Sequence, residues 1–429
     1  MKRRTFLKSM AATAAASACT PTALLALTGC SETTETAPAT DGAYNFDEII
    51  DRTGTYSIKY GRLEKSGEIG KKIPMTIADM DFRTAPYVHE ALQTRLDRDV
   101  MGYTSTPEEY YESIIKWWKM RHGWEIPREW VNFCPGVITT LCFVIECFSA
   151  PGDKVVVQTP VYDPFMNYTK RLGREVVYNP LKKENGKYQM DLEHLESVLD
   201  EKTKILILCN PQNPGGRMWD LEELKTLAHI CKEHGVLVLA DEIHCDLSLY
   251  GKKHIPFLTV SPEAEQNGII LTGPTKTFNV AGLHAAQCFI ANKEIREKLI
   301  GYLSAHKLME PSITCIELTM AAYNHDDKWV NDVTAYIAKN VDYACDFFEK
   351  EVPQIKCIKP EASFLLYLDC SELNLPDDEL KSLFQDKAGV MVSGGPGYGP
   401  GSEGCIRLNI GCPLSVLKQA LERIKNAVV

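Results

Sequence analysis

The sequence predicts an α/β protein: a large domain built on a mostly parallel sheet, followed by a smaller α+β domain. Three observations point there. Between residues 131 and 292, short β-branched runs alternate with longer amphipathic stretches. The runs are largely apolar from end to end, as strands covered on both faces require. Beyond residue 311, a long helical pattern over 330–350 is followed by separate strand patterns at 364–368 and 405–409, the mixture expected of an α+β unit.

In chain order the strand runs are 154–158, 175–178, 205–209, 236–240, 268–272 and 287–291, and 221–234 is a helix-period stretch between two of them. Gly and Pro bound most of these segments and set their ends. The organisation that follows is a leader over 1–30, a tether over 31–43, an N-terminal segment over 44–84 joining the small domain, a large domain over 85–310 and a small domain over 311–429. The 429 residues carry 47 Lys+Arg against 57 Asp+Glu, a formal net charge of −10. Such a chain lacks the positive field that holds phosphate backbones, so nucleic acid is not an expected partner. Hydrophobic content of 45% with 24% charged residues is that of a globular protein.

The leader has Arg3-Arg4 ahead of Thr5-Phe6-Leu7-Lys8, then an Ala-rich apolar stretch over 10–28 that ends in Leu27-Thr28-Gly29-Cys30. It resembles a twin-arginine export signal closing on a lipoprotein lipobox. An ordinary Sec leader behind two chance arginines is the alternative. The resemblance implies export, lipidation at Cys30 and a lipoprotein held in a bacterial envelope, facing the periplasm or the surface. No later segment has the ~20 uninterrupted apolar residues of a membrane span, so membrane attachment is expected through the lipid alone. Of 15 cysteines, setting aside Cys19 and Cys30 leaves 13, an odd number lying mostly in apolar runs. Buried thiols fit this better than a disulfide framework. Cys142 and Cys147 have no companion His or Cys pair, so no metal site is expected.

Chemistry concentrates at strand ends. The 268–272 run leads through Gly273-Pro274-Thr275 to Lys276, with Thr277-Phe278-Asn279 after it. A lone lysine is ordinarily a solvated surface charge. Here the 236–240 run ends in Asp241-Glu242-Ile243-His244, and the 205–209 run ends in Asn210-Pro211-Gln212-Asn213-Pro214-Gly215. Three strand ends therefore deliver an amide, a carboxylate and an amine to the edge where open α/β sheets bind ligands. Pyridoxal phosphate (PLP) requires such a set: a lysine for the imine and an aspartate for the pyridine nitrogen.

Over about residues 44–429 the chain resembles the fold-type I PLP enzymes, and among them the cystathionine β-lyase-like (C–S lyase) branch of the class I/II aminotransferases. The resemblance rests on Asp47 to Arg52 with Ser57-Ile58-Lys59, Ala78-Asp79-Met80-Asp81-Phe82, Gly102-Tyr103, Pro135-Gly136-Val137, Tyr162-Asp163, Asn210 to Gly215, Asp241 to His244, Lys276 to Asn279, and Ile406 to Ile410. It implies a mostly parallel seven-stranded sheet between helices in the large domain. It also implies that Lys276 bears the imine and moves the Cα proton, that Asp241 pairs with the pyridine nitrogen, that Asn213 and His244 bond the phenolic oxygen, and that Tyr162 stacks on the ring. The phosphate would sit on the N–H groups of Gly136, Val137 and Ile138, with the Thr275 hydroxyl beside them. Tyr103 would reach the phosphate of a neighbouring subunit, which implies a homodimer with shared sites. Arg407 would grip the α-carboxylate of a small sulfur-containing amino acid.

Taken singly, Tyr162 reads more readily as packing, Arg407 as a surface ion pair and His244 as a structural histidine. The Gly/Pro-rich stretch 396–401 reads as an active-site loop or a surface turn.

The implied reaction is carbon–sulfur β-elimination, which releases a thiol, pyruvate and ammonia. Aminotransferases usually carry Tyr three residues after the ring aspartate, where this chain has His244. Many also carry Arg in a Gly-x-Arg element where it reads Gly282-Leu283-His284. Transamination is the alternative, and a PLP-binding lipoprotein with a regulatory role and little turnover is a second. The chain departs from the lyase pattern at Thr76 and Tyr60, where Trp is usual, and at Gly273.

Overall fold

Seven short runs form the central sheet of the computed structural model, which describes residues 44–184 and 186–429. They are β1 (Val131–Cys134), β2 (Lys154–Val157), β3 (Glu175–Tyr178), β4 (Thr203–Cys209), β5 (Leu237–Asp241), β6 (Gly268–Thr272) and β7 (Ala286–Phe289). Their spatial order is β1-β7-β6-β5-β4-β2-β3. From β6 to β3 every pairing is parallel, whereas β7 runs antiparallel to both β6 and β1. The sheet is thus mostly parallel, as the pattern predicts, with β7 the exception. Between β6 and β7 lie only the four-residue helix Pro274–Thr277 and the 3-10 turn Ala281–Leu283. A parallel crossover needs a full helix there.

Both faces of the sheet are covered. Val155, Val157, Ile205 and Ile207 join one core with Leu141, Val144 and Ile145 of helix Val137–Phe148 and Leu299 of helix Lys293–Ala305. The intervening Val156, Leu206 and Leu208 face a second core that continues into the C-terminal region. This alternation between two dry faces is why the strands read as unbroken apolar runs. Each such side chain contributes about 1.5–3 kcal/mol by leaving water. The one strand of this sheet missing from the sequence reading, β1, is four residues long and interrupted by Asn132.

A second sheet contains β8 (Lys356–Ile358), β9 (Leu365–Asp369), β10 (Ser393–Gly394) and β11 (Cys405–Asn409), all antiparallel in the order β8-β9-β11-β10. Helices Lys328–Glu351 and Leu414–Val428 bury Ile337, Phe348, Leu417 and Leu421 in the adjoining core. The N-terminal segment reaches this sheet: Ile73–Pro74 pairs with Val390–Met391, and the Asn409 N–H donates to the Met75 carbonyl at 2.9 Å. That places residues 76–81 beside β11 and next to the lip of the large sheet.

The leader, the tether and Cys30 lie outside the described residues. Among the described residues no helix is long and apolar enough to cross a membrane. All 13 described cysteines are free thiols, and nine of them are buried.

Candidate active site

Strand register builds the site. Cys209 pairs with Asp241, and Asp241 with Leu271. The segments leaving β4, β5 and β6 therefore start side by side at the carboxyl ends of parallel strands, the ligand-binding edge of such sheets. Asp241, the last residue of β5, is only 4% exposed and accepts the Ile243 N–H at 3.1 Å. Burial pushes its carboxyl up to about 7, with Glu242 adding to the rise and the Ile243 N–H and Lys276 opposing it. A buried carboxylate with so little compensation is primed for a cationic partner.

Lys276 stands on the helix Pro274–Thr277 directly after β6. Its Nζ donates to the Ala78 carbonyl at 2.6 Å. Loss of solvent lowers its ammonium to about 8, helped by Arg407 and opposed by Asp79 and Asp241. The Ala78 carbonyl comes from the N-terminal segment, and two asparagines hold that segment in place. Asn279 accepts the Met80 N–H at 2.8 Å and donates to the Met80 and Phe82 carbonyls, while Asn409 donates to Ile77 and Asp79. Sequence reasoning missed this clamp because its partners lie about 200 and 330 residues apart in the chain.

Arg407 projects from β11 and is 5% exposed. It donates through Nη1 to Asn213 Oδ1 at 3.0 Å and through Nη2 to the Thr76 carbonyl at 2.9 Å, while its buried Nε has no partner. Its guanidinium lies 5.4 Å from the centre of the Tyr398 ring. The Gly/Pro-rich stretch thus contributes a buried aromatic wall to the site rather than a surface turn. His244 is buried with Nδ1 unpartnered, and burial, with Lys276 and Arg407, drives its ring down to about 3, which keeps it neutral. Tyr162 is half-buried at the start of helix Asp163–Arg171; burial and Asp163 raise its hydroxyl to about 12.

Helix Val137–Phe148 opens on Gly136, which has φ +121° and provides no side-chain cap, so the first-turn N–H groups of Val137 and Ile138 are left for an anion. A Cβ on Gly136 would lie 3.6 Å from Thr139 Oγ1 and 3.9 Å from His284 Nδ1. The histidine that replaces the usual arginine thus faces the same cradle. Thr275 is half-buried one residue before Lys276. The fold brings together Lys276, Asp241, Asn213, His244, Arg407 and, by sequence adjacency, Thr275. Tyr103 is fully exposed, and no contact joins it to these residues within one chain.

A buried carboxylate with no salt-bridge partner among the described residues, an unpartnered neutral histidine and an uncapped helix start together suit a planar cofactor with a ring cation, an oxygen acceptor and a phosphate. The sequence model of the aminotransferase class I and II family matches residues 70–424. The chain belongs to the class I and II aminotransferase family. Within this family it is 40% identical over 385 residues to cystathionine beta-lyase PatB of Bacillus subtilis (strain 168), covering 90% of this chain and 100% of that one. Among solved structures, a PLP-bound putative aminotransferase from Clostridium difficile 630 superposes with a TM-score of 0.87 at 39% identity, covering 90% and 100% of the two chains. The PLP-bound C–S lyase of Staphylococcus hominis superposes with a TM-score of 0.84 at 34% identity, covering 90% and 98%.

Proposed function

We infer that this family member is a PLP-dependent carbon–sulfur β-lyase that cleaves cystathionine or a related cysteine S-conjugate to a thiol, pyruvate and ammonia. The observation that carries the reading is its 40% identity, along the whole length of the relative, to a cystathionine beta-lyase. The Lys276, Asp241 and Arg407 constellation supplies the chemistry that reaction needs. PLP, when bound, supplies the electron sink that makes the substrate's Cα proton removable.

The surroundings of this chain's residues support the following roles. Asp241 would hold the proton on the ring nitrogen of bound PLP, because a carboxylate stripped of water gains most from a cation opposite it. Asn213 retains an amide N–H for the phenolic oxygen while its Oδ1 serves Arg407. Neutral His244 offers a ring nitrogen beside it. Tyr162 covers the ring. Gly136, Val137 and Ile138, with Thr275 and His284, hold the phosphate. Arg407 aligns the substrate's α-carboxylate, and its unpartnered Nε is the donor available for it. Lys276, whose ammonium is lowered to about 8, is neutral in a useful fraction near physiological pH. It therefore both attaches the cofactor and takes the Cα proton. Elimination breaks the Cβ–Sγ bond with its electron pair leaving on sulfur, which is protonated to the thiol, and water converts the remaining three-carbon enamine to pyruvate and ammonia.

Incubation of the PLP-loaded protein with cystathionine and no keto acid tests the reading. Pyruvate and a free thiol are expected, whereas amino-group transfer to an added keto acid without thiol release would establish the aminotransferase. We further propose a homodimer in which Tyr103 completes the partner's phosphate site; its support is the exposure of Tyr103 together with that of Val100, Met101, Tyr56 and Ile58. The Arg3-Arg4 pair and Cys30 support twin-arginine export and a lipid anchor, and Cys30→Ser should move the protein from the membrane to the soluble fraction.

A further inference from the structure

Lys276 is carried on a helix of four residues. A helix that short has almost no hydrogen-bonded ladder of its own, so its position must be imposed from outside. The residue after Lys276 shows how. The Thr277 hydroxyl donates to Asp246 Oδ2 at 3.1 Å, and both side chains are buried. Asp246 lies five residues past Asp241 on the same segment, so one stretch of chain reaches both the cofactor lip and the underside of the lysine helix.

Asp246 is itself held on every side. Trp117 Nε1 donates to its two oxygens at 3.1 and 3.2 Å, and His122 Nε2 lies 3.0 Å from Oδ1. Arg121 Nε stands 3.9 Å from Oδ1, while Arg121 Nη2 donates to the Asp246 backbone carbonyl at 3.1 Å. Burial pushes the carboxyl up, but the His122 hydrogen bond, the Arg121 charge and the Trp117 N–H together hold it below the ordinary range, so it stays charged. His122, Cys245 and Asp246 also bring metal-ligand atoms together. With both Asp246 oxygens occupied by N–H and O–H donors, the group acts as a hydrogen-bond hub.

The geometry points to Asp246 as a positioning residue for Lys276: a buried charged carboxylate that pins Thr277, and through it the backbone from which the Lys276 amine must reach first the cofactor and then the Cα proton. This inference rests on Lys276 being the cofactor lysine. A displacement of about 1 Å at a reacting group costs on the order of 100-fold in rate, which sets the scale of the effect when the pin is removed.

The test uses PLP-loaded wild type, Thr277→Val, Thr277→Ser and Asp246→Asn. Thr277→Val keeps the side-chain shape and deletes the donor; Thr277→Ser keeps the donor. The expected result is a fall in kcat of about 10- to 100-fold in Thr277→Val, with KM changed far less, and near-wild-type behaviour in Thr277→Ser. The pH midpoint of the bound-PLP absorbance band should shift in Thr277→Val and be restored in Thr277→Ser. Asp246→Asn should shift it in the same direction; should that variant not fold, the two threonine variants decide alone. A wild-type absorbance midpoint and kcat in Thr277→Val, with only Tm lowered, would overturn the proposal, as would equal impairment of Thr277→Ser and Thr277→Val. A wild-type protein with no PLP absorbance band would instead sink the assignment of Lys276.

Discussion

The charge state of Lys276 before the cofactor arrives can be read from the rate of PLP uptake. Only a neutral amine condenses with an aldehyde, and this amine is lowered from the usual 10.5 to about 8 by loss of solvent and by Arg407. At pH 7 roughly one-tenth of it is neutral, against about 0.03% for an unshifted lysine, an advantage of about 300-fold. Protonation blocks the reaction, so uptake accelerates as pH rises. PLP-stripped protein mixed with PLP should show an absorbance rise whose rate climbs about tenfold per unit below pH 7 and levels off above a midpoint of about 8. Asp79 opposes the lowering, so Asp79→Asn should move the midpoint to lower pH. A rate that still climbs tenfold per unit beyond pH 9, or a midpoint raised in Asp79→Asn, would refute the picture of a desolvated lysine poised between Arg407 and Asp79.

Other positions make separate predictions. Arg407→Lys cannot keep the bonds to Asn213 and the Thr76 carbonyl while serving a substrate carboxylate. Loss of one charged hydrogen bond, about 1.5–3 kcal/mol, should cut kcat/KM for cystathionine about 10- to 150-fold, read by pyruvate release. Asp241→Asn leaves the ring nitrogen without its counter-charge and should lower kcat about 100-fold or more, with the protein still folded by circular dichroism. Gly273→Ala would set a Cβ 2.6 Å from the Ala285 carbonyl oxygen; the strain should cost about 1–3 kcal/mol and lower Tm.

The parts legible in the sequence are those where one strand carries its own message. β4, β5 and β6 are largely apolar runs, and each carries a polar side chain of the site at its carboxyl end or within a few residues of it: Asn213, Asp241 and Lys276. Parallel register then does the rest, since Cys209, Asp241 and Leu271 are neighbours across the sheet. The antiparallel sense of β7 has no local signature; it follows from the short connection that displays Lys276. The wall of the site was equally silent. The Ala78 carbonyl, the Asn279 and Asn409 clamps, and the approach of His284 to Gly136 all join segments far apart in the chain, and no periodicity marks them. Asp246 sits within the same motif as Asp241, yet its role depends on Trp117 and His122 from a distant helix, Glu108–His122. Tyr398 lies in a Gly/Pro-rich stretch whose composition suggests a loop and not a buried ring under a guanidinium.

Every role proposed above depends on Lys276 as the point of covalent attachment. Borohydride reduction of the PLP-loaded protein, followed by peptide mass mapping, measures it directly. A pyridoxyl-phosphate adduct on the peptide containing residue 276, abolished in Lys276→Ala, is the predicted result. An adduct on a different lysine, or full labelling that persists in Lys276→Ala, would contradict it.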